Sequence, residues 1–436
     1  MQRSFVCLAL IVIGVASCKA SGEGTDYGGS GASGGAAGGA VGGAGGAVTE
    51  AGLDVGVSDA FTDVNPIDTP SNGCPGQVQS FIWIANTKDG TLSKVCTTNG
   101  KEVARYFTSP QQGGGDPSRT SVNLHGDMVV TNRDPSSGSS SVTKFAGDID
   151  DCVDRNQNGK IETSYGPTEI KPWGEDECML WNRSLGAGAS IGARATAWDG
   201  NESPETGVGG HVYIGALLNK TIYKINGDTG EIVAQAATAL GHYGGAIDGK
   251  GNLWTVAMGC TLGNCTIERI SLADLNDHQT FPVHCGYGIS IDAKGRVWTA
   301  GQNMMAGTGG CVSRFDPATG VNDYVITGKV DFNRGVAVGA MLSAGYVWAA
   351  STNGDLIQVN PETLEIVRRQ PVGVQEMVGV AIDYEGYVWT VSQGGNAAHK
   401  VHPATWAITT VPIGSGPYTY SDMTGMQLRG VVPPPK

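Results

Sequence analysis

The chain is short of positive charge and has no long apolar run beyond its first residues. Lys and Arg number 28 against 41 Asp and Glu, a formal net charge of −13 at pH 7. No basic patch with interleaved aromatics interrupts that balance, which argues against nucleic acid and anionic membrane surfaces as partners, since both are bound through clustered Lys and Arg. Also missing is any P-loop, dinucleotide fingerprint or Gly-x-Ser-x-Gly in a strand-turn-helix context that would give it meaning. The single apolar stretch, Phe5 to Val15, is too short to span a bilayer and is flanked as a secretory signal is.

What the chain does have is a repeat. Gly244-Gly245-Ala246-Ile247-Asp248 leading to Trp254 returns as Gly288-Ile289-Ser290-Ile291-Asp292 leading to Trp298, loosely around Trp348, and again as Gly379-Val380-Ala381-Ile382-Asp383 leading to Trp389. Successive Trp lie roughly 40 to 50 residues apart, a period typical of propeller blades. Each copy reads as two strands joined by an Asp-x-x-Gly turn, in which Asp caps locally and Gly accepts positive φ. A third strand breaks into turns such as Asp316-Pro317-Ala318-Thr319-Gly320, Asn360-Pro361-Glu362-Thr363 and His402-Pro403-Ala404-Thr405, and a short fourth strand such as Glu365-Ile366-Val367 follows. Trp83, Val129 and Tyr213 occupy the place of the Trp in weaker copies, which brings the count to seven. The first copy has no inner strand before Trp83, whereas the chain ends in an unpaired inner-strand pattern from Tyr420 to Leu428. The expected fold is all-β, a seven-bladed propeller over residues 74–436, closed by its C-terminal strand so that no sheet edge is left exposed.

The segment Val15-Ala16-Ser17-Cys18 resembles a bacterial lipobox, which implies cleavage before Cys18, with Cys18 lipidated as the new N-terminus. Residues 19–73 are rich in Gly, Ala, Ser, Thr and Asp. They cannot bury enough apolar surface to fold and read as a disordered tether of roughly 55 residues, spanning about 40 Å as a random coil. The expected location is the cell envelope of a bacterium, at the outer membrane or cell surface, with the lipid as the only membrane contact and a monomeric domain. Eight further cysteines, Cys74, Cys96, Cys152, Cys178, Cys260, Cys265, Cys285 and Cys311, form an even set that reads as disulfides in an exported chain. Nearest-neighbour pairing is one solution, but the sequence does not decide the connectivity.

Between blades two and three the spacing breaks, with 84 residues from Val129 to Tyr213. An insertion is expected over residues 146–190, bounded by Cys152 and Cys178. From Asp154 it resembles the calcium loop of dockerins and EF-hands, with Asp154, Asn156 and Asn158 at positions one, three and five, Gly159 at six, Lys160 at seven and Glu162 at nine. The resemblance implies a structural calcium ion held by Asp154, Asn156, Asn158, Lys160 and Glu162. Tyr165 stands at position twelve, where a carboxylate is usual, so Glu175, Asp176 or Glu177 is expected to supply the missing ligand.

The repeated Gly-x-x-Ile-Asp-x-x-Gly-x-Val-Trp segments resemble those of virginiamycin B lyases, also called streptogramin lyases, and more distantly NHL-repeat propellers. That resemblance covers most of residues 80–430. It implies, as one function, opening of a lactone ring by elimination with magnesium, for which His242, His284 and Glu376 are the candidate bases. None of them sits in a close Glu/His cluster of that family's kind. The residues preceding each inner strand give another reading: Arg119, Arg194, Tyr243, Tyr287, Arg334, Glu376 and, by closure, Asp422 are expected to line the mouth of the central channel. Such a ring suits a polar ligand with acidic or planar groups. The favoured expectation is therefore a non-catalytic module that binds a small molecule, glycan or protein at the channel mouth, with the lyase as the alternative.

Overall fold

The computed structural model describes residues 74–431, apart from 76–79, 135–138, 259, 261–264, 303–308, 329–330 and 374. The expected signal, Cys18 and the tether to residue 73 lie outside the described residues. Within them stand seven antiparallel sheets, one of three strands and six of four, each running in chain order between its innermost and outermost strand. The inner strands Pro117–Val122, Ala193–Trp198, His242–Ile247, Gly288–Ile291, Asn333–Val338 and Met377–Ile382 are neighbours in succession around the axis. The first sheet, Phe81–Asn86, Thr91–Cys96 and Glu102–Phe107, lacks an inner strand of its own.

The C-terminal segment supplies it. The Trp83 main-chain N–H donates to the carbonyl of Met423 at 2.9 Å, and that of Tyr418 donates to Ala85 at 2.9 Å. Asn86 bridges to Pro417 in antiparallel register. The ring is a seven-bladed propeller closed by its own C-terminus, and the last blade meets the closing segment where Gly379 lies: a Cβ there would stand 2.0 Å from the carbonyl oxygen of Thr419. Only a glycine allows that approach.

The repeat has a physical cause in its turn. Asp248, Asp292 and Asp383 each spend one carboxylate oxygen on two main-chain N–H groups of the turn and the other on the indole N–H of the Trp six residues on, at 2.8, 2.9 and 2.8 Å. One side chain thus fixes both the hairpin and the rotamer of the largest core residue. Trp83, Trp254, Trp298, Trp348 and Trp389 are all buried, as blade packing requires. Blade six departs from the repeat because Gly339 replaces the Asp, a short 3-10 turn Met341–Ser343 follows, and the Trp348 indole N–H finds no partner.

The disulfides join sequence neighbours: Cys74 to Cys96, Cys152 to Cys178, Cys260 to Cys265, and Cys285 to Cys311. The segment 146–178 lies between the third and fourth strands of blade two, Ser139–Phe145 and Met179–Ala187. The last part of the stretch read as insertion, from Met179, is therefore blade: an outer strand, then a one-turn helix Gly188–Ile191. The inserted loops dock on blade one, where Gly166 donates its N–H to the carbonyl of Val103 at 2.7 Å.

Candidate functional site

A recurrent β-bulge sets the chemistry of one end of the channel. In blades two, three, four, six and seven the pairing of the inner strand with its neighbour slips by one residue near its start. A bulge re-aims the side chain of its extra residue. The extra residues are Ser118, Arg194, Tyr243, Arg334 and Val378, and Tyr287 directly precedes the inner strand of blade five.

Arg194, Tyr243, Tyr287 and Arg334 thus stand where the count along the sequence put them, and Arg119, beside the bulged Ser118, reaches the same cluster. Two assignments need correction. Blade seven presents Val378, buried in the same apolar cluster as Tyr243 and Tyr287, in place of Glu376. Glu376 is exposed and forms none of the ion pairs seen among the described residues. From the closing segment the cluster receives Tyr418 and Tyr420 in place of Asp422. The Asp422 carboxylate instead accepts main-chain N–H groups of Thr424, Gly425 and Leu428. It lines a cavity of about 200 Å³ with residues from the far ends of the inner strands, including Asp292, Ala337 and Ile382. Burial raises its pKa to about 6 against those donors.

Four tyrosine hydroxyls meet at the centre. The Tyr243 oxygen lies 2.6 Å from that of Tyr287, 2.6 Å from Tyr418 and 2.8 Å from Tyr420. Tyr287 lies 2.7 Å from Tyr418 and 3.0 Å from Tyr420. Two guanidiniums pack on these rings: Arg119 with Cζ 3.4 Å from the ring centre of Tyr420 and 4.8 Å from that of Tyr243, and Arg194 at 4.4 Å from Tyr243 and 5.7 Å from Tyr418. Arg119 is 0% exposed and Arg194 9%. The Arg119 Nε donates to the carbonyl of Tyr243 at 3.2 Å. Both of its terminal nitrogens, and Nη1 of Arg194, have no partner. No ion pair among the described residues involves either arginine. Burial opposes ionisation of Tyr418, but the charges of Arg119 and Arg194 and hydrogen bonds with Tyr243 and Tyr287 outweigh it and bring its pKa down to about 7. Tyr420 and Tyr287 move the other way, chiefly through burial.

The rim around this cluster is half-buried. Arg133 packs over the Tyr418 ring at 5.1 Å and is paired with Asp116. Arg334 reaches Gln393 at 3.2 Å and lies over Phe332, which meets Tyr287 edge-on at 4.7 Å. The arrangement can hold an acidic or planar group; among the described residues no carboxylate forms an ion pair with Arg119, Arg194 or Arg334.

The candidate bases are dispersed. His242 is fully buried, its Nδ1 2.9 Å from Thr255 Oγ1 and its Nε2 2.5 Å from Thr238 Oγ1. Burial, and secondarily the charge of His278, lowers its pKa to about 3, so the ring is neutral and structural. His284 lies on the flank between blades four and five, stacked on Tyr324 at 4.2 Å with Nε2 3.2 Å from the carbonyl of Asn322. Among the described residues, the group of His, Cys, Asp or Glu side chains close enough to share a metal is His125, Asp127 and Asp151. It joins blade two to the insertion, and Lys144 already neutralises Asp127 at 2.9 Å.

The inserted loop is an Asx-rich turn closed by its own side chains. The Asp154 carboxylate accepts the N–H groups of Asn158 and Gly159 at 3.2 and 2.8 Å, with Gly159 at φ +80°. Asn156 and Asn158 both reach the Glu162 carboxylate, at 2.9 and 2.7 Å. Of the three carboxylates considered for the missing ligand, Glu175 is exposed and Asp176 is bonded to Thr163, Ser164 and Cys178. Glu177 is the one at the loop, accepting the N–H groups of Arg155 and Glu162, each at 2.8 Å. The oxygen-only donor set of Asp154, Asn156, Asn158 and Glu162 suits a hard cation such as calcium.

No protein-family model matches the chain, and no curated protein does. Solved structures do. Hydrazine synthase of Kuenenia stuttgartiensis is 12% identical with a TM-score of 0.51, over 82% of this chain and 99% of that one. A catalytically inactive virginiamycin B lyase from Staphylococcus aureus with quinupristin is 18% identical with a TM-score of 0.42, over 53% and 74%. The dihydro-heme d1 dehydrogenase NirN in complex with DHE is 14% identical with a TM-score of 0.48, over 84% and 80%. The likeness is one of fold. The chain is a β-propeller with streptogramin-lyase-like neighbours, and function has to be argued from its own side chains.

Proposed function

We propose that the chain is an exported, lipid-anchored propeller that acts as a non-catalytic binding module, taking an anionic group of a small molecule, glycan or protein at the arginine-tyrosine end of its channel. The observation that carries this reading is the concentration of Arg119, Arg194 and Arg334 around four tyrosines with no carboxylate among them. Guanidinium pairs with carboxylate or phosphate in bidentate fashion, and aromatic rings complete a surface for a planar ligand. The insertion, docked on blade one, is stiffened by calcium in its Asp154 to Glu162 loop, with Glu177 closing the set. The lyase alternative needs a base at the channel end, and the dispersal of His242, His284 and Glu376 weighs against it.

The test is a pair of assays on the mature protein. Magnesium-dependent opening of a cyclic depsipeptide lactone, lost on chelation, contradicts the proposal. In the binding case no turnover occurs, and Arg334→Ala weakens binding of the ligand recovered from the protein by roughly 1.5 to 3 kcal/mol, the worth of a charge-assisted hydrogen bond.

A further inference from the structure

Two guanidiniums buried without a counter-ion are costly. Arginine does not give up its proton in proteins, and an unpaired buried charge carries a penalty of several kcal/mol. Arg119 and Arg194 are at least nine-tenths buried, and no carboxylate of the described residues forms an ion pair with them. Arg133, the next cation, is paired with Asp116. The terminal nitrogens of Arg119 are buried without a partner, and the groups within the cluster that can lend a negative charge are the four phenols. Tyr243, Tyr287 and Tyr420 are 2%, 8% and 3% exposed, deeper than Tyr418. Tyr418 lies under both Arg194 and Arg133, at 5.7 and 5.1 Å from their Cζ atoms, with Arg119 at 6.0 Å. It is within hydrogen-bond distance of the hydroxyls of Tyr243 and Tyr287, and that of Tyr287, which accepts from Tyr243, can donate to it.

We propose that Tyr418 is a phenolate at neutral pH, the counter-ion of Arg119 and Arg194, and hence a site of selective modification by acyl electrophiles at the end of the channel. The groups that face it are Arg119, Arg194, Tyr243 and Tyr287 from four successive blades, Arg133 with its partner Asp116, and Tyr420 of its own segment. Lys88, which packs beside Gly416, and Asp89, which accepts the N–H of Ser415, flank that segment from blade one. One phenolate compensates one guanidinium and leaves the end cationic. The inference is independent of what the site binds.

N-acetylimidazole on the mature full-length protein tests it. The phenolate oxygen bonds to the acetyl carbon, the bond from that carbon to the ring nitrogen breaks, and imidazole leaves with a proton from water; nothing is oxidised or reduced. Tyr165 and Tyr324, 50% and 41% exposed, serve as internal references. With Tyr418 near 7 and an ordinary phenol near 10, at pH 6 it holds about a thousandfold more phenolate. A less basic nucleophile is intrinsically slower, which trims the expected advantage to about thirtyfold on a dependence like that of thiols. Peptide mapping should find Tyr418 acetylated ahead of both references although it is less exposed. Arg194→Gln should remove the preference. Should that variant not fold, near-ultraviolet phenolate absorbance of the wild type settles the matter: one tyrosine should ionise near pH 7, and that transition should be missing in Tyr418→Phe. Acetylation of Tyr418 no faster than of Tyr165 and Tyr324, or no phenolate signal below about pH 9, overturns the proposal.

Discussion

His242 makes blade four sensitive to acid, and the size of the effect follows from its surroundings. The ring is fully buried between Thr255 and Thr238, against Gly215, where an added Cβ would stand 2.9 Å from its Cγ. Its pKa is lowered to about 3, mainly by burial, whereas an unfolded histidine titrates near 6.5. A group depressed in the folded state contributes stability that is present above its unfolded value and is lost as pH falls from there. Between pH 7 and pH 5 the unfolded chain takes up about 0.7 of a proton at this position and the folded chain almost none. Linkage makes that worth about 2 kcal/mol. The figure does not depend on how far below pH 5 the folded value lies. Other groups act in the opposite sense. Asp422, raised to about 6, and His125, raised to about 9 chiefly by its hydrogen bond to Asp151, both gain stabilising protonation in the fold as pH falls. The informative quantity is therefore a difference between proteins. Urea unfolding followed by tryptophan fluorescence at pH 7 and pH 5 should show the wild type losing about 2 kcal/mol more than His242→Asn, whatever that variant costs at pH 7. Equal losses in the two proteins would refute the assignment of a buried neutral imidazole.

Other consequences are open to direct measurement. Asp292→Ala removes the acceptor for two turn N–H groups and the Trp298 indole, and breaks a buried pair with Arg296 at 2.6 Å; thermal unfolding should show a loss of roughly 3 kcal/mol, and less for Asp292→Asn. Asp154→Ala with Asn158→Ala should abolish calcium uptake in calorimetry and make residues 152–178 more sensitive to protease while the propeller stays folded; no uptake by the wild type removes the metal reading. Cys18→Ser should release the protein from membranes or block its processing, and unchanged retention with normal cleavage would sink the lipid anchor.

The blades were legible because one aspartate performs two local tasks. Its carboxylate closes the turn and holds the following indole, so Asp, Gly and Trp recur at fixed spacing in blades four, five and seven. Blade six, without the Asp, was visible only loosely. The channel end was harder to read. Strand alternation places Glu376 and Val378 on one face, and the bulge between Met377 and Gly379 turns Val378 inward. The same bulge in blades three, four and six left Arg194, Tyr243 and Arg334 where the count put them. The offset from the turn Asp that gives Tyr243 and Tyr287 gives Val378 in blade seven, so Glu376 lies outside that frame. Tyr418 and Tyr420 went unnoticed because the closing segment was counted from Asp422, although the alternation Tyr-Thr-Tyr is the pattern of two side chains on one face of a strand. The burial of His242 had no signal in the sequence at all, since it depends on Gly215 of the neighbouring blade.

The central claim is that the arginine-tyrosine end of the channel holds an anionic partner. Native mass spectrometry of the protein purified from its own cells tests it most directly, with the wild type compared against Arg194→Gln and Arg334→Ala. The account predicts a carboxylate- or phosphate-bearing molecule released from the wild type and depleted at least tenfold in both variants, as expected for the loss of a charge-assisted contact. The same molecule retained equally by all three proteins would place binding elsewhere and contradict it.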